Sequence, residues 1–575
     1  MLKLLRYLRP YAALVAANFL FVFFSAFAEL YLPRLMADIV DYGIVNGDTA
    51  YILRTGGWML LVALVGTAVA ILGNYASARV SMGFGRDLRS AVFRKVQGFS
   101  LAEFDRIGTA TLITRTTNDI TQIQNVPVVA LRMMLFAPMM MIGSVILALS
   151  TDVGLSVVVL VALPLLALTI GVVGTRAVPL FQAMQRKIDR LNRVVREGLT
   201  GVRVIRAFNR TEYETGRFVD ANRDLTETAI RVNRLMAALM PTLSLLMNLT
   251  AIAVVWFGGI RIEAGHMEVG DLMAFVQYVM HIMFSLIMLS MMFIMLPRAA
   301  ASATRINEVL DVSPAITDPP EPRSPRESLG QVEFRNVTFS YPGAERPALE
   351  GISFVARPGE VTAIIGGTGS GKTTLVNLIP RFYDVQEGAV LVDGVDVREW
   401  KQDELRARIG YVPQKAMLFS GTIADNIRFG RADATDDEIA HAAAVAQASD
   451  FIAEMKDGFN TEIAQGGTNV SGGQKQRLTI ARALVRRPRI YIFDDNFSAL
   501  DFKTDARLRA ALKREVGRAT VFIVAQRVST VMDADRIIVL DAGRVAGMGT
   551  HRELMQNCAV YREIVASQLS EEELA

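Results

Sequence analysis

Gly366-Gly367-Thr368-Gly369-Ser370-Gly371-Lys372-Thr373 is the stretch on which the reading of this chain turns. It follows an apolar strand-like run, Val361-Thr362-Ala363-Ile364-Ile365, and leads into a helical pattern from Thr374. That is the setting a phosphate-binding loop requires. The glycines let backbone N–H groups close around phosphate oxygens at a helix N-terminus, Lys372 reaches the β- and γ-phosphates, and the Thr373 hydroxyl can ligate Mg²⁺. The nucleotide-binding set expected here runs from Gly366 through Thr374. Further on, Ile490-Tyr491-Ile492-Phe493-Asp494 is an apolar strand ending in a carboxylate, the arrangement that holds Mg²⁺ beside such a loop.

The loop belongs to one part of a chain of 575 residues, too long for one ordinary domain. From residue 331 onward, short β-type runs at 332–339, 360–365, 490–493 and 520–524 alternate with helical patterns, as in a soluble α/β domain. Ahead of it, Pro314, Pro319, Pro320, Pro322 and Pro325 mark a linker over 311–329. Residues 1–310 read differently. Apolar stretches at 11–32, 56–78, 127–150, 155–175, 235–260 and 272–296 are each long enough, at about 20 residues, to cross a bilayer.

Composition agrees with this division. Hydrophobic residues make up 51% and charged residues 21%, with a mean hydropathy of +0.32. These values exclude a disordered chain and argue against a wholly soluble one. A net charge of +4 is too small to imply nucleic acid. Cys558 is the one cysteine, so no internal disulfide is possible, and the four histidines form no metal-ligand spacing. The N-terminus imitates a signal peptide, with a basic start and Ala26-Phe27-Ala28 as a cleavage-like site. Its apolar run exceeds the usual h-region of about 7–15 residues, so it is read as a retained first span.

An even number of spans puts both ends on one side. The long connections 79–125 and 176–234 are rich in basic residues, among them Arg86, Arg89, Arg94, Lys95, Arg106 and Arg115, while the links 33–55, 151–154 and 261–271 hold few. The long connections and both termini are therefore expected in the cytoplasm, with the spanning helices continuing well beyond the membrane. Arg132, Asn248, Gln277 and His281 are polar exceptions within the spans, expected to face a cavity or a partner helix. Methionines crowd the third, fifth and sixth spans (Met133, Met134, Met139, Met140, Met141; Met236, Met240, Met247; Met280, Met283, Met288, Met291, Met292, Met295), which suits ordinary packing or an adaptable apolar pocket.

Between the loop and the strand-end Asp494 lies Val470-Ser471-Gly472-Gly473-Gln474. With this element the chain resembles the ATP-binding cassette (ABC) family, whose signature is usually written LSGGQ; Val470 for Leu is a mild departure. Three motifs in the family's order after six spans extend the resemblance over essentially the whole chain. It implies a six-span α-helical transmembrane domain followed, over 330–575, by an α/β cassette with an α-helical subdomain. By the same resemblance, Tyr341 looks like the adenine-stacking aromatic and Gln414 like the glutamine that senses Mg²⁺ and nucleotide. Ser471, Gly472, Gly473 and Gln474 would hold a γ-phosphate across a dimer, and Ser498-Ala499-Leu500-Asp501 is similar to the D-loop that crosses between cassettes. Coupling helices are expected near 100–105 and 209–214. The family sandwiches two ATP molecules between two cassettes, so one cassette implies a second half-transporter as partner.

Two positions depart from the family. Asp495 stands where a Glu polarises the attacking water, one methylene too short, and Gln526 in Ala525-Gln526-Arg527 stands where a switch histidine is usual. A misplacement of about 1 Å can cost about 10²-fold in rate, and Gln526 has no titratable imidazole. The pair resembles the degenerate half of heterodimeric exporters. The function expected is ATP-driven export of hydrophobic or amphipathic compounds, drugs or lipids, across the cytoplasmic membrane, with a partner chain supplying the intact Glu and His. The alternatives are a homodimer with slow hydrolysis, a siderophore-type importer of the same fold, and a nucleotide-gated regulator or channel.

Overall fold

The computed structural model describes residues 2–325, 327–498 and 500–568, and for Leu2, Phe502 and 291–297 the backbone alone. The side chains of Met291, Met292 and Met295, and the whole of Ala499, lie outside the described residues. The chain forms two compact units. One is Met1–Gln97 with Ala110–Val312, and the other is Gly98–Thr109 with Ser313–Ala575.

Among its described residues the first unit has six helices long and apolar enough to cross a membrane: α1 (Lys3–Ile44), α2 (Thr49–Gln97), α4 (Thr109–Thr151), α5 (Ser156–Thr200), α6 (Thr211–Glu263) and α7 (Val269–Asp311). A short α3 (Leu101–Ile107) interrupts the series. Side chains such as Phe24, Leu64, Leu160 and Trp256 stand exposed on these helices, as lipid-facing positions do when lipid replaces water as the solvent. The first link is shorter than the sequence suggested. α1 continues through Pro33 to Ile44, because Leu30, Pro33, Leu35 and Ala37 are all buried there and that packing outweighs the one ladder bond a proline forfeits. Helix α4 carries two π-turns, at Arg115–Asp119 and Ala130–Met134.

The described residues of the second unit form three sheets. β1 (Val332–Phe339), β2 (Leu349–Ala356), β4 (Glu387–Val392) and β5 (Val395–Asp396) form an antiparallel sheet in the order β2-β1-β4-β5. The larger sheet takes β3 (Val361–Gly366), β6 (Ile409–Val412), β9 (Ile490–Asp494), β10 (Thr520–Val524), β11 (Arg536–Asp541) and β12 (Arg544–Gly549) in the order β12-β11-β3-β10-β9-β6. β7 (Gly421–Thr422) and β8 (Glu462–Ile463) pair separately. Strands β9 and β10 are buried at every position, the uninterrupted apolar pattern of parallel strands covered on both faces. Alternate side chains therefore serve two cores. Ala363, Ile365, Tyr491, Phe493 and Ile523 pack with the helical segments of 423–485, while Ile364, Ile490, Ile492, Phe522 and Val524 pack with Leu375, Trp400 and the antiparallel sheet.

Helix α3 packs within this second unit. Ser100 caps it with Glu103 in a capping box, Ala102 rests on the cassette core, and Asp105 accepts a hydrogen bond from the Tyr383 hydroxyl at 2.7 Å. Residues 209–214 belong to the first unit, where Asn209, in the left-handed region at φ 51°, turns the chain into α6.

Candidate functional site

Parallel pairing brings the carboxyl ends of three strands to one edge. Val524 lies opposite Ile364 on β3 and Asp494 on β9, so the loop after β3, the carboxylates after β9 and the turn after β10 meet where open α/β sheets bind ligands. The loop's tight path depends on two glycines in particular. A Cβ at Gly366 would stand 2.2 Å from the Leu540 carbonyl oxygen, and Gly371, at φ 96°, heads helix α8 (Lys372–Leu378). Ser370 is buried, and its hydroxyl has no partner among the described residues. The Lys372 ammonium turns back onto the carbonyls of Gly366 and Gly367 at 2.8 and 2.7 Å. Burial holds its pKa below the ordinary lysine value, against the pull of Asp495 and Asp494. Exposed backbone at Gly367, Thr368 and Gly369, an orphaned hydroxyl and an amine resting on its own loop together fit a polyphosphate.

The Thr373 hydroxyl donates to Asp494 Oδ1 at 2.9 Å. Burial pushes the Asp494 carboxyl up, and the Thr373 hydrogen bond opposes it only in part, so a cation would relieve this group. Thr373 and Asp494 would hold Mg²⁺, which supplies charge neutralisation for the phosphates.

Asp495 follows at φ 50°, a left-handed conformation that aspartate tolerates better than most residues. Its Oδ2 accepts from Gln526 Nε2 at 2.8 Å and from Gln414 Nε2 at 3.3 Å. Burial raises its pKa while these amides and Lys372 pull it down. Asp495 and Gln526, the two departures at the phosphate site, therefore touch each other, and Gln414 bonds to the same carboxylate. Tyr341 is half-buried, its ring edge-on to Phe339 and Tyr383 at 5.0 and 5.3 Å, and its hydroxyl lies 3.0 Å from the Thr374 hydroxyl.

Ser471 caps helix α9 (Gly472–Val485) by accepting from the Gln474 N–H at 3.3 Å, and Gln474 returns a bond to the Ser471 N–H at 2.8 Å. Ser471 and Gly472 are exposed. Asp501 caps helix α10 (Phe502–Glu515) through the Thr504 N–H. No hydrogen bond or ion pair joins the Val470–Gln474 element to the phosphate loop among the described residues.

Two residues escaped the sequence reading. Asn496 Nδ2 donates to the Pro413 carbonyl at 2.8 Å, tying the turn after β9 to the segment that carries Gln414. Gln568, far along the chain, accepts from the Val528 N–H and donates to the Gln526 carbonyl, both at 2.8 Å, and so clamps the turn after β10. The position of Asn496 directly after the Asp494-Asp495 pair could have flagged it; no local pattern marks Gln568.

Residues 15–299 match the family model described as the ABC transporter transmembrane region, and 349–498 match the model described as ABC transporter. An uncharacterised ABC transporter ATP-binding protein of Mycobacterium tuberculosis is 46% identical over 99% of this chain and 98% of its own length. An ATP-dependent lipid A-core flippase of Aromatoleum aromaticum is 34% identical over 99% and 96%. Among solved structures, a bacterial Atm1-family ABC exporter with ATP bound superposes with a TM-score of 0.80 at 28% identity, over 97% of this chain and 99% of the other.

Proposed function

This chain belongs to the ABC transporter family as an exporter-type half-transporter whose ATPase is coupled to transport, and from that premise we propose that it is the degenerate-site subunit of a heterodimer. Its substrates are hydrophobic or amphipathic compounds, lipids or drugs, moved across the cytoplasmic membrane, with both termini and the cassette in the cytoplasm. The relative named as a lipid A-core flippase supports a lipid-like substrate.

The observation that carries the division of labour is the capture of Asp495 Oδ2 by two side-chain amides, from Gln526 at 2.8 Å and Gln414 at 3.3 Å. A general base must reach a water and take its proton. Here a carboxylate already one methylene short is held by donors, and the neighbouring Gln526 cannot titrate. The local loop then retains ATP: backbone N–H groups and Lys372 bind the phosphates, Tyr341 offers its face to adenine, and Asp495 activates little water.

Ser471 serves the partner instead. Its hydroxyl and the N-terminus of α9 present donors and a favourable dipole to a γ-phosphate bound on the other chain, where the partner's Glu and His hydrolyse it. Binding of both nucleotides closes the cassettes, and hydrolysis at the partner's site resets them. The burial-raised pKa of Asp495 favours a second reading, a homodimer in which Asp495 works as a slow base.

The test is the ATPase rate of this chain alone and of the assembled pair in lipid. The heterodimer reading expects turnover only with the partner; fast turnover by this chain alone would overturn it.

A further inference from the structure

The chain passes between its two units three times, at Gln97–Gly98, Thr109–Ala110 and Val312–Ser313. The first two crossings flank α3, and the third follows α7. Within the membrane unit, the helices next to the last two crossings are tied together. Ser302 and Arg305 of α7 donate to the buried Asp119 of α4, the hydroxyl at 2.9 Å and the guanidinium Nε at 2.8 Å, and Arg115 pairs with Glu308 at 2.9 Å. Within the cassette unit, the segments that continue those helices meet again at one side chain. Glu103 of α3 is 6% exposed. Its Oε2 accepts from the Ser100 N–H at 2.7 Å and the Ser100 hydroxyl at 2.6 Å, and its Oε1 accepts from the Ala315 N–H at 3.1 Å. The stretch around Ala315 is itself fastened to the cassette. Ile316 is buried, Arg381 donates to the Thr317 carbonyl at 3.2 Å, and Asp318 accepts from the Gln402 N–H and side-chain amide, both at 3.0 Å.

A buried carboxylate is costly unless donors satisfy it, and a hydrogen bond to a charged group is stronger than one between neutral groups. The bond from Ala315 to Glu103 therefore fixes the linker to α3, and Pro314, Pro319 and Pro320 stiffen the same stretch. We propose that Glu103 is a positioning residue for transport: by holding Ala315 it joins α3 and the segment after α7 into a single joint, so that nucleotide-driven movement of the cassette reaches α4 and α7 together. Without that bond α3 and the linker each still adhere to the cassette, but they move independently, and the cassettes close without driving the membrane helices in step. This deepens the export reading and rests on it, because such a joint matters only where the cassette drives the spans.

Three variants of the assembled transporter in nanodiscs separate the bond from the helix that carries it. Glu103→Gln keeps the capping box, which accepts Gln as well as Glu, but turns an NH₂ toward the Ala315 N–H, and two donors cannot pair. Ala315→Pro deletes that N–H from the other side. Ser100→Ala weakens the cap and leaves the Ala315 bond in place. Hydrogen–deuterium exchange with and without ATP and vanadate is followed in cassette peptides covering the phosphate loop and in the links that follow α1 and α6, together with ATPase. In the parent, nucleotide changes exchange at both places. Glu103→Gln and Ala315→Pro are each expected to keep ATPase within about twofold and the cassette response in full, while the nucleotide-induced change at the links falls about tenfold, as for one lost hydrogen bond to a charged group. The double variant should be no worse than either single, since both remove one interaction, and Ser100→Ala should resemble the parent. A full link response in Glu103→Gln and Ala315→Pro, additive losses in the double variant, or the same loss in Ser100→Ala overturns the proposal. Collapse of the cassette response overturns it too, since Glu103 would then serve the cassette's own fold. A parent whose links ignore nucleotide refutes the export reading and the joint with it, whereas a parent response that survives both variants refutes the joint alone.

Discussion

Restoring the missing reach at Asp495 should awaken the local site. Asp495→Glu adds one C–C bond, about 1.5 Å of reach, but Gln526 would still hold a carboxylate it now grips at 2.8 Å. The informative variant is therefore the double change Asp495→Glu with Gln526→His, made in a transporter whose partner has its own catalytic carboxylate replaced by Gln. A misplacement near 1 Å accounts for about 10²-fold in rate, or about 2.7 kcal/mol of barrier, so turnover from this site should rise by about that factor. Asp495→Glu alone should gain less, because the Gln526 amide remains in place. Steady-state phosphate release in lipid nanodiscs reads the rate, and a Lys372→Ala control confirms that it comes from this loop. A double variant no faster than the parent would refute the reasoning, since the silence would then come from something other than reach and capture.

Ser471→Ala in this chain should lower turnover of the assembled pair by about tenfold or more by stripping a donor from the partner's site, while the lost helix cap costs only about 1 kcal/mol; thermal unfolding measured alongside separates the two. Asp494 gives a pH dependence. Burial raises its folded-state pKa, so its contribution to the stability of the nucleotide-free protein is full on the acid side of the ordinary aspartate value. That contribution is lost as pH rises through the raised one. Mg²⁺-dependent nucleotide binding should strengthen over that same rise, and a binding constant flat through mildly acid pH would contradict the assignment. Gln568→Ala should free the Gln526–Val528 turn and speed release of ATP from the local loop severalfold, with Gln568→Glu failing to rescue because its carboxylate cannot donate to the Gln526 carbonyl.

Much of this molecule was legible because its signals are local. The run from Gly366 to Thr373 sits after an apolar strand, and the structure places it at the end of β3. The boundaries of β1 and β10 agree to the residue with the apolar runs 332–339 and 520–524. Six apolar stretches gave six helices, although their ends ran further than hydropathy marks, because polar helix beyond the membrane carries no apolar run. The contact between Asp495 and Gln526 was not legible: the residues are far apart in the chain and meet only because β9 and β10 pair in parallel. The same holds for the Gln568 clamp, and for the placement of Arg132, which hydropathy marks as an exception without showing the cavity it faces.

The central claim is that the loop of this chain holds nucleotide without turning it over. Asp495→Asn removes the carboxylate while keeping its size, and steady-state ATPase of the assembled pair carrying this change measures what that carboxylate does. Turnover within about twofold of the parent is the expected result, because hydrolysis proceeds at the partner's site; a collapse of total activity would contradict the account and assign catalysis to Asp495 itself.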